Sequence, residues 1–171
     1  MKIGIDIDDT LVSTSESFEN VKNKYKLNFN KKFKDKWTDE ERKFIFDNYL
    51  EEILLDAEIK DGAKETLNYL KNKGYELIVI TARSSRFCEN IPNRTIEFLN
   101  KEQLGISKVY FSQNEKSDLA KQLELDLMID DSNYVYENMK NDNIDCILFG
   151  DKIKTWYEVL DYIKNKEWYS G

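Results

Sequence analysis

Three carboxylates crowd the end of the first apolar run, Lys2-Ile3-Gly4-Ile5-Asp6-Ile7-Asp8-Asp9-Thr10-Leu11. The run reads as a buried strand opening the domain. Carboxylates are rarely fully buried unless paired or bound to a metal, so this strand is expected to end at a site. Residues i and i+2 of an extended chain share a face, which lets Asp6 and Asp8 converge. Like charges ~4 Å apart cost roughly 4 kcal/mol at an effective dielectric near 20, a cost that a hard cation such as Mg2+ would remove. A second acidic pair, Asp130-Asp131, ends the apolar run Asp126-Leu127-Met128-Ile129, and Thr81 ends another, Leu77-Ile78-Val79-Ile80. Lys116 lies between these two in the chain, with Lys121 as the alternative lysine.

This set suits phosphoryl transfer, in which catalysis is mostly positioning and charge stabilisation. Asp6, at a rigid strand end, can attack phosphorus and form an aspartyl phosphate. Asp8 can protonate the leaving oxygen and then activate water. Asp130 or Asp131 can complete a Mg2+ site with Asp6. The Thr81 hydroxyl and the N–H groups of Asp9 and Ala82 at their turns can donate to phosphate oxygens, and Lys116 can pair with both the phosphate and Asp6.

The elements that must carry these residues alternate. Helices are expected from Ser15 to about Tyr25 and from Thr38, whose Thr38-Asp39-Glu40-Glu41 has capping-box spacing, to about Ala57. Asp61 is expected to cap a helix that Gly74 stops. A strand follows from Tyr75 to Thr81, and Pro92 suits the first turn of the next helix, which Gly105 ends. A short strand covers Lys108 to Phe111, and Ser112 to Glu115 has the spacing of a second capping box. The strand into Asp130, a helix over Asn133–Met139, a strand over Asp145–Phe149 and a helix capped by Thr155 to Glu158 complete the chain. Strands alternating with helices indicate a doubly wound α/β fold with a parallel, five-stranded, Rossmann-like sheet. Ligands of such sheets sit beyond the carboxyl ends of the strands, where the polar residues fall. Residues 14–60 are too long for an ordinary βα loop. They are expected to form a helical cap inserted after the first strand, over a core of residues 1–13 and 61–171.

Composition narrows the functions. The 171 residues carry a net charge of −7, which disfavours binding to a nucleic-acid polymer but not a small phosphorylated substrate in a local cleft. There is no histidine, so Ser-His-Asp and Cys-His chemistry are excluded, as are most zinc enzymes. Two cysteines give no disulfide framework, no apolar segment is long enough for a membrane span and the N-terminus does not read as a signal peptide, so a cytoplasmic setting is expected.

The motifs Asp6-Ile7-Asp8-Asp9-Thr10, Thr81 after an apolar strand, Lys116 and Ile129-Asp130-Asp131 resemble those of the haloacid-dehalogenase-like (HAD) phosphohydrolase superfamily, in order and spacing over most of the chain. The resemblance implies Asp6 as nucleophile, Asp8 as acid/base, and Mg2+ held by Asp6, the main-chain carbonyl of Asp8 and the Asp130-Asp131 pair. Ile80-Thr81-Ala82-Arg83 and the Lys116-to-Asp130 spacing look like the 5'(3')-deoxyribonucleotidase branch, which implies a nucleotidase acting on small (deoxy)nucleoside monophosphates. Another small phosphorylated metabolite is the alternative. Where the family usually has a glycine after the second aspartate, this chain has Asp9.

Three competing readings remain. A receiver domain of a signalling pathway also gathers an acidic cluster, a threonine and a lysine on a parallel sheet, but its motif order differs. Cys88-Glu89-Asn90-Ile91-Pro92-Asn93-Arg94 matches the C-x5-R pattern of cysteine phosphatases, yet has no glycine and a proline that removes a donor. The lysine-rich stretch 22–37, interleaved with Tyr25, Phe29, Phe33 and Trp37, is either a solvated surface over its own small core or a substrate lid placing an aromatic such as Phe33 or Trp37 against a base or sugar, with lysines steering phosphate.

Overall fold

The computed structural model describes residues 1–170, with side chains through Lys166. Five strands form one sheet: β1 (Lys2–Ile5), β2 (Glu76–Ile80), β3 (Ile106–Tyr110), β4 (Leu127–Asp130) and β5 (Cys146–Leu148). Every pairing is parallel and the order is β3-β2-β1-β4-β5, the α/β Rossmann-like sheet expected from the sequence. Period-2 alternation sorts the apolar side chains between the faces. Leu77, Val79, Leu127 and Ile129 join one core cluster, while Ile78, Ile80 and Met128 join the other. The first face is covered by α4 (Ala63–Asn72), α5 (Ile91–Lys101) and α8 (Trp156–Ser170). The second lies under α6 (Ser117–Leu123) and α7 (Asn133–Asn141). In central strand β1, a side chain at Gly4 would make neighbouring side chains shift. A Cβ there would stand 2.7 Å from both Leu125 Cδ1 and Met128 Sδ.

Between β1 and α4 the chain makes α1 (Thr14–Lys24), α2 (Asp39–Asn48) and α3 (Leu50–Asp56). The flanking chain segments run side by side, with Ser13 N–H donating to the Glu58 carbonyl at 2.8 Å and Lys60 N–H to that of Leu11 at 2.9 Å. Phe18, Val21, Ile45 and Ile53 are buried together in this insert, with Phe29, Phe33 and Trp37 packed against them.

Four local expectations are corrected. The Thr38 capping box forms, but the helix it opens breaks at Tyr49 (φ −133°) instead of continuing to Ala57. The break serves two partners: Ile45 and Ile53 pack on α1, while Leu50 and Leu54 pack on Ile91 of α5. Helix α4 starts two residues after Asp61, behind Gly62 at φ 79°, a left-handed turn that glycine adopts easily, and Asp61 instead accepts from the Tyr157 hydroxyl. Ser112 caps nothing. It sits at φ 60° and donates its hydroxyl to Ser84, and α6 begins only at Ser117. The third strand begins at Ile106, two residues earlier than read.

Candidate active site

The sheet delivers the carboxylates to one point. Asp6 follows β1, its N–H still donating to the Ile129 carbonyl of β4 at 3.0 Å, and Asp130 ends β4 in the neighbouring register. Lys116, which immediately precedes α6, sends its ammonium between them, 2.9 Å from Asp6 Oδ1 and 2.7 Å from Asp130 Oδ2. The alternative, Lys121, pairs with Asp142 at the surface instead. The Thr10 hydroxyl lies 3.0 Å from Asp6 Oδ2 and 3.1 Å from Asp131 Oδ1, and Ser132 N–H donates to Asp130 Oδ1 at 2.9 Å. Asp6, Asp130 and Asp131 each offer an oxygen within 4.8 Å of the others. An all-oxygen carboxylate set suits a hard divalent cation, so these three residues fit a metal site.

The electrostatics agree with that fit. Burial, helped by the Asp6 charge, pushes Asp130 up to about 6 in spite of Lys116. Burial likewise raises Asp6, against the pull of Lys116. Burial alone would lower Lys116, but the two carboxylates outweigh it and its pKa is raised. One ammonium thus holds two buried carboxylates without neutralising both.

Asp8 is held differently. Its carboxylate takes the Arg83 guanidinium side-on, with Nη2 2.8 Å from Oδ1, and accepts from the Thr14 hydroxyl at 2.7 Å. Burial would raise its pKa, but Arg83 outweighs burial and lowers it. Asp8 and Asp6 both line a cleft of about 470 Å³, together with Asp9, Phe33, Lys34, Ala82, Lys116, Asp130, Asp131 and Tyr134.

A family model, haloacid dehalogenase-like hydrolase, matches residues 6–154, from the first candidate aspartate to beyond β5. The chain belongs to that family. This membership sets the receiver reading aside. The HAD-like hydrolase is 27% identical, over 191 aligned positions spanning 97% of this chain and 99% of the other, to an Oceanobacillus iheyensis protein that carries a proposed nucleotidase name. Its fold is similar to a HAD-superfamily hydrolase of subfamily IA from Geobacter sulfurreducens, with TM-score 0.60, 12% identity and 95% of each chain covered. It is also similar to a hydrolase from Streptococcus pneumoniae, with TM-score 0.59, 14% identity, and 95% of this chain and 97% of the other covered.

The other singled-out residues of this HAD-like hydrolase divide. Thr81 is buried, its hydroxyl accepting from Arg83 N–H at 3.1 Å, and Ala82 reaches the cleft wall. Asp9 corrects an expectation. Its N–H closes a turn on the Val12 carbonyl at 2.8 Å and is already spent, so it is no phosphate donor. The residue stands at φ 62°, where glycine is easiest and aspartate is among the side chains that tolerate the strain. Its carboxylate takes Ser15 N–H and hydroxyl at 2.7 and 2.6 Å, holding the start of α1. Phe33 lines the cleft, but Trp37 does not: its ring packs on Phe18 and Phe29, and its N–H bonds to the carbonyls of Lys32 and Phe33. The indole is therefore a core residue of the insert.

Arg83 and Tyr134 received no role from the sequence, and Lys34 had one only as a member of the lysine-rich stretch. Lys34 reaches from the insert to pair with Asp131 and lies 3.4 Å from Asp9. A run of seven lysines between residues 22 and 36 gave no sign of which one would do so. Arg83 did carry a signal, following Thr81-Ala82 directly at a strand end.

The C-x5-R pattern is a docking feature. Cys88 Sγ lies 3.4 Å from Glu51 of α3, and Arg94 pairs loosely with the same carboxylate at 3.9 Å. Cys88→Ser is therefore expected to leave turnover within about twofold of wild type, whereas a thiolate enzyme would lose it all. Initial rates of phosphate release by the two proteins make the check. No helix among the described residues is long and apolar enough to cross a membrane.

Proposed function

We propose that this HAD-like hydrolase is a Mg2+-dependent phosphomonoester hydrolase working through an aspartyl phosphate, with small (deoxy)nucleoside monophosphates as substrates. One observation carries the reading: Asp6 shares the buried Lys116 ammonium with Asp130, and Asp6, Asp130 and Asp131 bring three carboxylate oxygens within 4.8 Å of one another at the cleft. Asp6 attacks phosphorus, forming its Oδ–P bond as the ester P–O bond breaks. Arg83 keeps Asp8 ionised in the free protein; the negative charge of a phosphate entering beside it favours its protonated form. That form gives its proton to the departing oxygen, and the carboxylate then takes one from the water that cleaves the phosphoenzyme. The Thr81 hydroxyl, Ala82 N–H and Lys116 hold phosphate oxygens. Asp6, Asp130, Asp131 and the Asp8 carbonyl would hold Mg2+, which supplies charge neutralisation for the transferring group. Residues 14–60 act as the cap, and the free thiols Cys88 and Cys146 suit a reducing cytoplasm.

The nucleotide assignment rests on the relative's name and on Phe33 and Tyr134, two rings on the cleft wall. Phosphate release from nucleoside monophosphates, sugar phosphates and an aryl phosphate, with and without EDTA, tests the whole reading. Metal-dependent release with nucleotides preferred is expected, and release that survives chelation overturns it.

Phe33→Ala should cost ~1–3 kcal/mol in kcat/KM for nucleoside monophosphates, by analogy with base stacking in single strands, and much less for a substrate with no base. Trp37→Ala should instead reduce both substrates in parallel with thermal stability. Equal losses for both substrates in Phe33→Ala would remove the stacking role.

A further inference from the structure

Arg83 is buried, and the structure gives every nitrogen of its guanidinium a partner. Nε lies 3.2 and 3.1 Å from the two oxygens of Asp8, and Nη2 adds the contact to Oδ1. On its far side Nη2 donates to the Leu54 carbonyl of α3 and Nη1 to the Thr95 hydroxyl of α5, each at 3.1 Å. Its own backbone is pinned as well. Its N–H donates to Thr81 Oγ1, and its carbonyl accepts Ser112 N–H at 2.8 Å. One planar group is thus clamped by two helices and in turn clamps one carboxylate.

Burying a guanidinium is costly unless its partners are well placed, and replacement by an apolar side chain is often neutral or better for stability. A buried arginine at a strand end therefore asks for a reason beyond the fold. Asp8 supplies one. It stands on the half-exposed cleft wall, and the partners found for its carboxylate are Arg83 and Thr14. Two free side-chain torsions would otherwise let the carboxylate swing. The fork geometry fixes its plane, which an ammonium could not do.

We infer that Arg83 is the positioning residue of Asp8, fixing the carboxylate where it meets the leaving oxygen. The assignment rests on the proposed acid/base role of Asp8. Because Leu54 lies on α3, the clamp also ties Asp8 to the insert: the seating of α3 on the core sets the orientation of the group that protonates the leaving oxygen. Arg83 acts through Asp8 and touches no substrate.

The test is a double-mutant cycle of Arg83→Lys and Asp8→Asn, read as kcat/KM for a nucleoside monophosphate and for nitrophenyl phosphate, whose leaving group needs little protonation. A misplaced catalytic group can cost about 100-fold. Arg83→Lys is expected to lose about that much on the nucleotide and clearly less on the aryl ester. In the Asp8→Asn background it should lose less than about threefold on either. Full loss in that background, or equal loss on both substrates in the single variant, would falsify the positioning role while leaving Asp8 in place. An Asp8→Asn protein as active as wild type on the nucleotide overturns the acid/base reading itself, and Arg83's role with it. Should Arg83→Lys fail to fold, Thr95→Val removes one anchor and keeps the guanidinium. It should move the nucleotide-to-aryl ratio in the same direction, by severalfold, and an unchanged ratio counts against the proposal.

Discussion

Asp6→Asn is expected to bring phosphate release below about one-thousandth of the wild-type rate, a loss of at least ~4 kcal/mol in transition-state stabilisation, while the protein stays folded. The carboxamide is nearly isosteric but is no nucleophile, so no phosphoenzyme can form. Its fold should tolerate the change. Lys116 keeps Asp130 at 2.7 Å, and the Thr10 hydroxyl keeps Asp131 within 3.1 Å. Burial already disfavours the charged form of Asp6, so a neutral group there removes a cost. Thermal melts beside rates with an aryl phosphate and a nucleoside monophosphate in Mg2+ make the check. A folded variant that keeps more than that thousandth of turnover would move the nucleophile elsewhere.

The strand ends were legible because they rest on physics that a sequence displays. Apolar runs with period 2 become buried parallel strands, and such strands deliver their C-terminal residues to one edge. Asp6, Asp130 and Lys116 meet there for that reason. What was not legible depended on partners distant in the chain. The break at Tyr49 answers to two separate surfaces, α1 and Ile91, and no helical spacing encodes that. Ser112 to Glu115 has the spacing of a cap, but Ser112 bonds across to Ser84 in another loop. Trp37 and Phe33 looked equivalent as ring-bearing residues among lysines. Only packing separates a ring on Phe18 and Phe29 from one that also faces the cleft. Asp9 shows the opposite case. A departure from the family's glycine leaves the turn intact, because the left-handed backbone is held from Ser15 and Val12.

The acidic cluster should make the metal-free protein pH-sensitive, and Asp130 is where that can be read. Its pKa is about 6 in the folded protein against the ordinary 3.8, so the native state binds that proton more tightly than the unfolded chain. The contribution is fully present below pH ~4 and is lost as pH rises through ~6, by an amount of about 3 kcal/mol. In EDTA, the melting temperature of the wild-type protein should therefore fall between pH 4 and 7, and that of Asp130→Asn should fall much less, leaving the variant the more stable of the two at pH 7.5. Adding Mg2+ should reverse the order. A ligand at a hundredfold its Kd adds ~2.7 kcal/mol to the folded state, or about 5–10 °C for a chain of this size. Asp130→Asn, short of a carboxylate beside Asp6 and Asp131, should gain little of that, and its turnover should fall by about 100-fold or more. The three signs belong together, because the charge that burdens the empty cluster is the charge that would hold the cation. Calorimetric melts across pH, with EDTA and with Mg2+, measure all of them. A variant that is less stable than wild type in EDTA at pH 7.5, or that gains as much from Mg2+, would mean that Asp130 serves the fold through Lys116 and does not hold the metal.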